Sequence, residues 1–367
     1  MTPLDIARER LRNQRITEAT FRKPIEVVAW LGAVQSQDYA GAKWALGLRM
    51  QNAVDDEIER AFTQGSILRT HLLRPTWHFV TPADIRWMLA LTAARVHAVN
   101  AYMYRKLALD SAIFKRSNAA LAKALQGGRQ LTRDELRGVL QRAGIATDGE
   151  LRMGYLMMHA ELEGIVCSGP RRGKQFTYAL LEERAPQAKS LKREEALAEL
   201  ARRYFVSRGP ATVQDFAKWS GLPVTDAGSG LASVKAQLQH ETVCGQTYWF
   251  PIVRPAPRDK SPTAHLLSIY DEYISGYKDH SAMTDQRNAK KLVAMGNALS
   301  YVIVVDAQVV GTWRRTMRTN GVVIETDVFT RLTKAQTRAV SIAARAYGKF
   351  FGLPVVLPEE KEGIHAE

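Results

Sequence analysis

The sequence predicts a mainly helical α+β protein: three tandem modules, each a group of helices closed by a β-hairpin, then a β-rich α+β unit. Three observations carry this. An order of helix, capped helix, helix and hairpin recurs at a spacing of roughly 80 residues. Gly- and Pro-bearing turns separate the strand-like runs. The last third switches to longer strand patterns around an Asn-Gly turn. The 367 residues suit two to four compact units. A hydrophobic content of 46% is enough to build real cores.

The first module, residues 1–115, is the loosest. Helical patterns at Pro24–Val34 and Val54–Gln64 precede strand-like runs at Ile67–Leu73 and Trp77–Val80, joined near Arg74-Pro75. The second, 116–188, is the clearest. Leu121 and Leu125 share a helical face that Gly127-Gly128 ends, and Thr132 to Glu135 form a capping box. Leu136, Val139 and Leu140 continue the apolar face, and a third helix spans about Glu150–Glu163. Runs at Ile165–Ser168 and Gln175–Leu180 then flank a tip reading Gly169-Pro170-Arg171-Arg172-Gly173-Lys174. Three helices followed by a hairpin make a winged helix, and a basic tip suits a wing lying on DNA. The third module, 189–255, repeats the order. Leu197, Leu200 and Tyr204 line one helix, and Thr212 caps a second from Val213 to Trp219. A third helix near Leu231–Leu238 leads to a hairpin, Thr242–Phe250, around Gly245. In the unit 256–367, strands at Tyr301–Val305, Val309–Met317 and Val322–Phe329 are closed by a helix from Lys334 to Phe351.

Composition narrows the function. A formal charge of +14 and a pI near 9.8 point to a polyanionic partner, with nucleic acid foremost. No run approaches the ~20 apolar residues of a membrane-spanning helix. The N-terminus lacks the apolar core of a signal peptide. Cys167 and Cys244 stand alone and read as buried thiols of a reducing compartment, so the expected location is cytoplasmic. The eight histidines show no ligand spacing, and no phosphate-cradling loop, zinc-protease or zinc-deaminase signature is present. No cofactor and no metal are expected.

The candidate chemistry lies in Gln35-Ser36-Gln37-Asp38, directly after an apolar helix holding Val27, Val28, Trp30, Leu31 and Val34. In an extended segment Gln35 and Gln37 would point the same way. An ordinary polar helix end gives the same composition. His78, beside Trp77 on a strand, is a packed residue or an auxiliary group, as is Asp38. Arg171, Arg172 and Lys174 on the second wing, with Arg314, Arg315 and Arg318 at the C-terminal hairpin, are the candidate phosphate contacts.

Four stretches in order, LGAVQSQDYAGAKWALGLRM, SILRTHLLRPTWHFVTPADI, LLSIYDEYISGYKDH and VVGTWRR, resemble the AlkZ/YcaQ-like winged-helix DNA glycosylases. These bacterial enzymes excise N7-alkylguanine adducts, and some members unhook interstrand crosslinks. The resemblance implies three tandem winged helices and a β-rich C-terminal unit in a C-shaped molecule. It also implies a catalytic Gln-x-Gln, here Gln35 and Gln37, as in the AlkZ-like branch; the YcaQ-like branch carries Gln-x-Asp.

Two amides suffice only for an undemanding reaction, since glutamine is neither a strong base nor a Schiff-base former. N7-alkylation makes guanine cationic, so it leaves without being protonated. What remains is to hold a water and to stabilise the cationic sugar, which carbonyl oxygens can do. The expected product is an abasic site in alkylated duplex DNA, made by a monomer without lyase activity. The rivals are a winged-helix transcriptional regulator, which would bind two half-sites as a dimer, and a DNA-binding scaffold without chemistry.

Overall fold

A computed structural model describes residues 1–252, 262–284, 288 and 301–357. The predicted boundary at 255/256 lies outside them. The chain opens with a helix that the hydrophobic pattern does not announce, Pro3–Asn13, started by Pro3 and a Thr2/Asp5 capping box. Its buried face mixes Ile6, Ala7 and Leu11 with Arg10 and Asn13, which blurs the periodicity. The next helix, Pro24–Leu31, stops three residues short of the predicted Val34. Gly32 takes φ +77°, and Val34–Gln35 peels away as a two-residue strand. Helices Tyr39–Gly47 and Asp55–Gln64 follow, then strands Leu68–Leu72 and Thr76–Val80 and the long helix Ile85–Lys106. Thr76–Val80 is central in a three-stranded antiparallel sheet, with Val34–Gln35 on one side and Leu68–Leu72 on the other.

Helices Ser111–Leu125, Arg133–Arg142 and Glu150–Leu162 and strands Val166–Ser168 and Thr177–Leu180 come next. They enclose a core of their own built on Leu121, Leu136, Leu140, Met153 and Leu156. The Thr132/Glu135 capping box forms as predicted, and Leu131–Thr132 adds a short strand to this sheet. The following group has helices Arg193–Arg208, Val213–Ser220 and Val224–Val234 and the hairpin Leu238–Val243/Gln246–Pro251. Its third helix starts well before the expected Leu231, just after Pro223, and Leu238 opens a strand instead of ending a helix. Cys167 is buried, but Cys244 is not: it sits exposed in the hairpin turn at φ +48°, beside Gly245 at φ +75°.

Five strands in the order Val355–Val356, Gly321–Val328, Gln308–Arg318, Val302–Val305 and Ala264–Leu267 form the last sheet, against helix Lys334–Phe350. Asp306 and Ala307 turn between two of them with φ +50° and +68°. The two edge strands, Ala264–Leu267 and Val355–Val356, are additions to the predicted three.

The cores show how these groups are joined. One unites Leu11, Leu72 and Trp87 with Leu200, Trp219 and Tyr273. Another unites Val27, Trp44 and Phe62 with Trp313, Ile324 and Tyr347. Between them runs the segment around Asp271 and Glu272, anchored by fully buried pairs Arg49–Asp271 (2.9 Å) and Arg208–Glu272 (2.6 Å). No described helix is long and apolar enough to cross a membrane.

Candidate active site

The Gln35–Gln37 segment crosses the edge of the first sheet, where the tertiary structure holds it from three sides. Gln35 pairs with His78 in the ladder and is 8% exposed. Its backbone N–H donates to Glu272 Oε1 at 3.0 Å, and its side-chain Oε1 accepts from Arg74 at 2.9 Å. Ser36 N–H donates to the Trp77 carbonyl at 2.7 Å. The strand ends at Gln35, so alternation does not carry on to Gln37, which lies exposed in a bend. Both amides are nevertheless tied to one hairpin, because Gln37 Oε1 accepts from the Trp77 backbone N–H at 3.3 Å. The chain thus places two carboxamides at one edge, one sheltered and one open. Each has one carbonyl lone pair engaged and one left for a ligand.

The auxiliary candidates are placed differently. His78 is completely buried, with Nδ1 3.0 Å from the Thr76 carbonyl and Nε2 without a partner among the described residues. Burial, then the charge of Arg74, pushes its pKa down to about 3, so the ring is neutral at physiological pH. It is paired with Gln35 in the sheet and closed off from solvent. Asp38 precedes helix Tyr39–Gly47, and its carboxylate accepts the Tyr301 hydroxyl. A Cβ on Gly41 would lie 2.7 Å from Asp38 Oδ2, so glycine makes room for this contact.

Of the basic candidates, Arg171 turns inward. Its guanidinium lies 5.1 and 5.2 Å from the Tyr39 and Phe176 rings and 3.3 Å from Glu59. Arg172 is exposed but meets Glu135 at 2.8 Å, while Lys174 is exposed with no ion pair among the described residues. The second hairpin therefore packs against Tyr39, two residues from Gln37. Buried Arg69 joins it to the site, stacked 4.3 Å from Trp77 and 4.6 Å from Phe176. On the C-terminal hairpin Arg314 and Arg318 are exposed, but Arg315 lies over the Tyr301 and Tyr347 rings at 5.0 and 5.7 Å. Arg315 belongs to the packing beneath Asp38, not to the open surface.

Sequence reading misses Glu272, Arg74, Arg208 and Trp219. Glu272 is fully buried and accepts from Arg208 (2.6 Å), the Trp219 indole (2.9 Å) and the Gln35 N–H. Burial alone would raise its pKa, but Arg208 and the Gln35 N–H hold it below the usual carboxylate value. It is a fixed anion. The only grouping of metal-ligand type among the described residues is His97, His159 and Glu163, whose ligand atoms lie within 4.8 Å of one another. His159 is stacked on Phe114 at 3.7 Å and His97 meets the Tyr104 hydroxyl at 2.8 Å, as packed rings do.

The family model described as DNA glycosylase AlkZ-like matches residues 28–350, and the chain belongs to the AlkZ-like DNA glycosylase family. A curated relative is the interstrand DNA cross-link repair glycosylase of Streptomyces sahachiroi, 26% identical over 325 residues, spanning 83% of this chain and 85% of that protein. The solved structure of Streptomyces sahachiroi DNA glycosylase AlkZ superposes with a TM-score of 0.80 at 22% identity, covering 98% of this chain and 100% of the other. Membership of a glycosylase family speaks against the regulator reading.

Proposed function

We propose that the chain is a monofunctional glycosylase that hydrolyses the N-glycosidic bond of N7-alkylated guanine in duplex DNA, with bulky adducts and interstrand crosslinks among its substrates. The observation that carries this is the pair of amides at one edge, Gln35 and Gln37, whose titratable neighbours among the described residues are buried or already hydrogen-bonded, Arg74 and Lys218 included. His78 is buried and neutral, Glu272 is sealed behind Gln35, and Asp38 is engaged by Tyr301. Such a site cannot protonate a leaving group, so it fits a base that leaves as a neutral molecule because it began as a cation. The remaining carbonyl lone pairs of Gln35 and Gln37 accept the hydrogens of one water and direct it at C1′ of the sugar. The same dipoles oppose the positive charge that develops there. Lys218 has its amine engaged by the Ser275 carbonyl at 2.8 Å, and the expected product is an abasic site without a strand break.

The helix-and-hairpin groups at 1–115, 116–188 and 189–255 read as winged-helix modules that, with the unit 256–367, surround a duplex as a C-shaped monomer. Their net charge of +14 supplies sequence-independent affinity. Crosslink repair is the role for which the Streptomyces relative is named, and the open side of Gln37 leaves room for bulk.

Gln35→Ala and Gln37→Ala test the reading. Each should slow release of N7-methylguanine by about 10²–10³ while duplex affinity stays within a factor of two, since the amides act on the transition state. Alkali should be needed to cut the product strand. Wild-type rates in both variants would remove the glutamines from the mechanism.

A further inference from the structure

The third helical group reaches the Gln35 edge through Arg74 and Glu272. Arg74 sits in the tight turn between strands Leu68–Leu72 and Thr76–Val80, where Leu73 takes φ +61°. One guanidinium nitrogen donates to the Trp219 carbonyl at 2.6 Å and approaches the Lys218 carbonyl at 3.3 Å; the other donates to Gln35 Oε1 at 2.9 Å. Lys218 and Trp219 close helix Val213–Ser220, whose last carbonyls lack helical partners and attract a cation. A second route leaves the same tryptophan. Its indole N–H donates to Glu272 Oε2, and Glu272 Oε1 receives the Gln35 backbone N–H. One helix end therefore grips Gln35 at its side chain and at its backbone. Gly221 makes the approach possible, because it takes φ +72° and a Cβ there would lie 2.4 Å from the Leu73 carbonyl.

We infer that Arg74 is a positioning residue for the reaction, acting through Gln35: it fixes the carboxamide rotamer and ties it to the C-terminal end of helix Val213–Ser220. The inference rests on the glutamine mechanism proposed above. A free glutamine side chain samples several rotamers, and only one sets its carbonyl toward the water. The fork of an arginine can hold two acceptors at fixed spacing, which the point charge of a lysine cannot. Glu272 attracts the Arg74 guanidinium while Arg208 repels it, and Arg74 serves as a clamp through its hydrogen bonds.

The test is a double-mutant cycle in the full-length protein, using single-turnover release of N7-methylguanine and duplex affinity at several salt concentrations. Arg74→Met should lower the rate by about 10- to 100-fold, the scale of a misplaced reacting group. Affinity and its salt slope should not move. In a Gln35→Ala background Arg74→Met should add no further loss, because its effect runs through that side chain. Arg74→Lys should recover part of the rate. If Arg74→Met folds poorly, judged by its melting temperature, Arg74→Lys enters the cycle in its place. Losses that multiply with Gln35→Ala, or a weaker Kd with a shallower salt slope, would overturn the inference and make Arg74 a DNA contact. A normal rate for Arg74→Met beside a slow Gln35→Ala overturns positioning alone. A fully active Gln35→Ala overturns the glutamine chemistry itself.

Discussion

The two sides of the Gln35–Gln37 segment are built on opposite principles. Behind Gln35 the charges are buried and matched: Arg208 and Glu272 are both fully buried and hydrogen-bonded to each other. In front of Gln37 the surface is open, and the side chain is held by one backbone N–H. A buried ion pair is weak support for net stability, because desolvation offsets much of its attraction. The reason to keep one here is geometric. The back wall holds Gln35 by its backbone and its side chain, and the rim at Gln37 is open. A site whose functional groups are neutral amides has little chemical reach of its own, so its rate depends on placement.

The largest effect expected is at the back wall. Glu272→Gln leaves Arg208 buried without its counter-ion, which should cost ~3–5 kcal/mol of stability in a urea titration. Replacing both partners by apolar residues, Arg208→Met with Glu272→Leu, should recover most of that. Excision should remain slow in the double variant, because the Gln35 N–H has lost its acceptor. Recovery of rate together with stability would mean that the back wall only packs.

What is legible in the sequence follows the range of the interactions. The Thr132/Glu135 capping box and the Thr212-capped helix are set by residues three apart and appear where expected. The Asp306-Ala307 turn forms where expected, whereas at the next hairpin Thr319-Asn320 turn and Gly321 already opens the strand, so the Asn-Gly signal finds the hairpin but not its type I′ turn. Gln35 and Gln37 stand out because only Ser36 separates them. Glu272 meets Gln35 across 237 residues, and nothing local to either announces the other. Helix Pro3–Asn13 escapes because its buried face carries Arg10 and Asn13, whose partners, the carbonyls of Pro210 and Gly209, lie in the third group. Cys244 reads as buried from its residue type, but it is exposed in a hairpin turn.

An effect of middle size distinguishes the two basic hairpins, which read alike in the sequence. Arg314 and Arg318 are exposed without ion pairs among the described residues, whereas Arg171 is engaged by Glu59 and by the Tyr39 and Phe176 rings. Replacing Arg314 and Arg318 together by Ala should reduce the slope of log Kd against log salt by about 1.8, roughly 0.9 for each phosphate no longer neutralised. Arg171→Ala should leave that slope nearly unchanged and lower the melting temperature instead. Fluorescence anisotropy across a salt series reads both. A larger slope change for Arg171→Ala would put the phosphate-binding role on the second hairpin.

The smallest effect should come at Asp38, and it is the most pointed test of where the chemistry resides. Asp38 is the carboxylate next in sequence to the amides, and a glycosylase that relied on an acidic base would use such a group to activate water. In the structure its carboxylate accepts the Tyr301 hydroxyl and lies against Gly41, so its place is in the seam between the first sheet and the last. Asp38→Asn keeps an oxygen for that hydroxyl and removes only the charge. The expected loss is one weakened hydrogen bond, ~0.5–1 kcal/mol, or about two- to fivefold if all of it reached the rate. That is far below the 10²–10³ expected at either glutamine. Because amides do not titrate, and Lys218 behind the site changes charge only near pH 8, the rate on N7-methylguanine should also stay level between about pH 5 and 7, in wild type and Asp38→Asn alike. Near-complete loss in Asp38→Asn, beside active glutamine variants, would make a carboxylate the base and move the chemistry one residue along the chain.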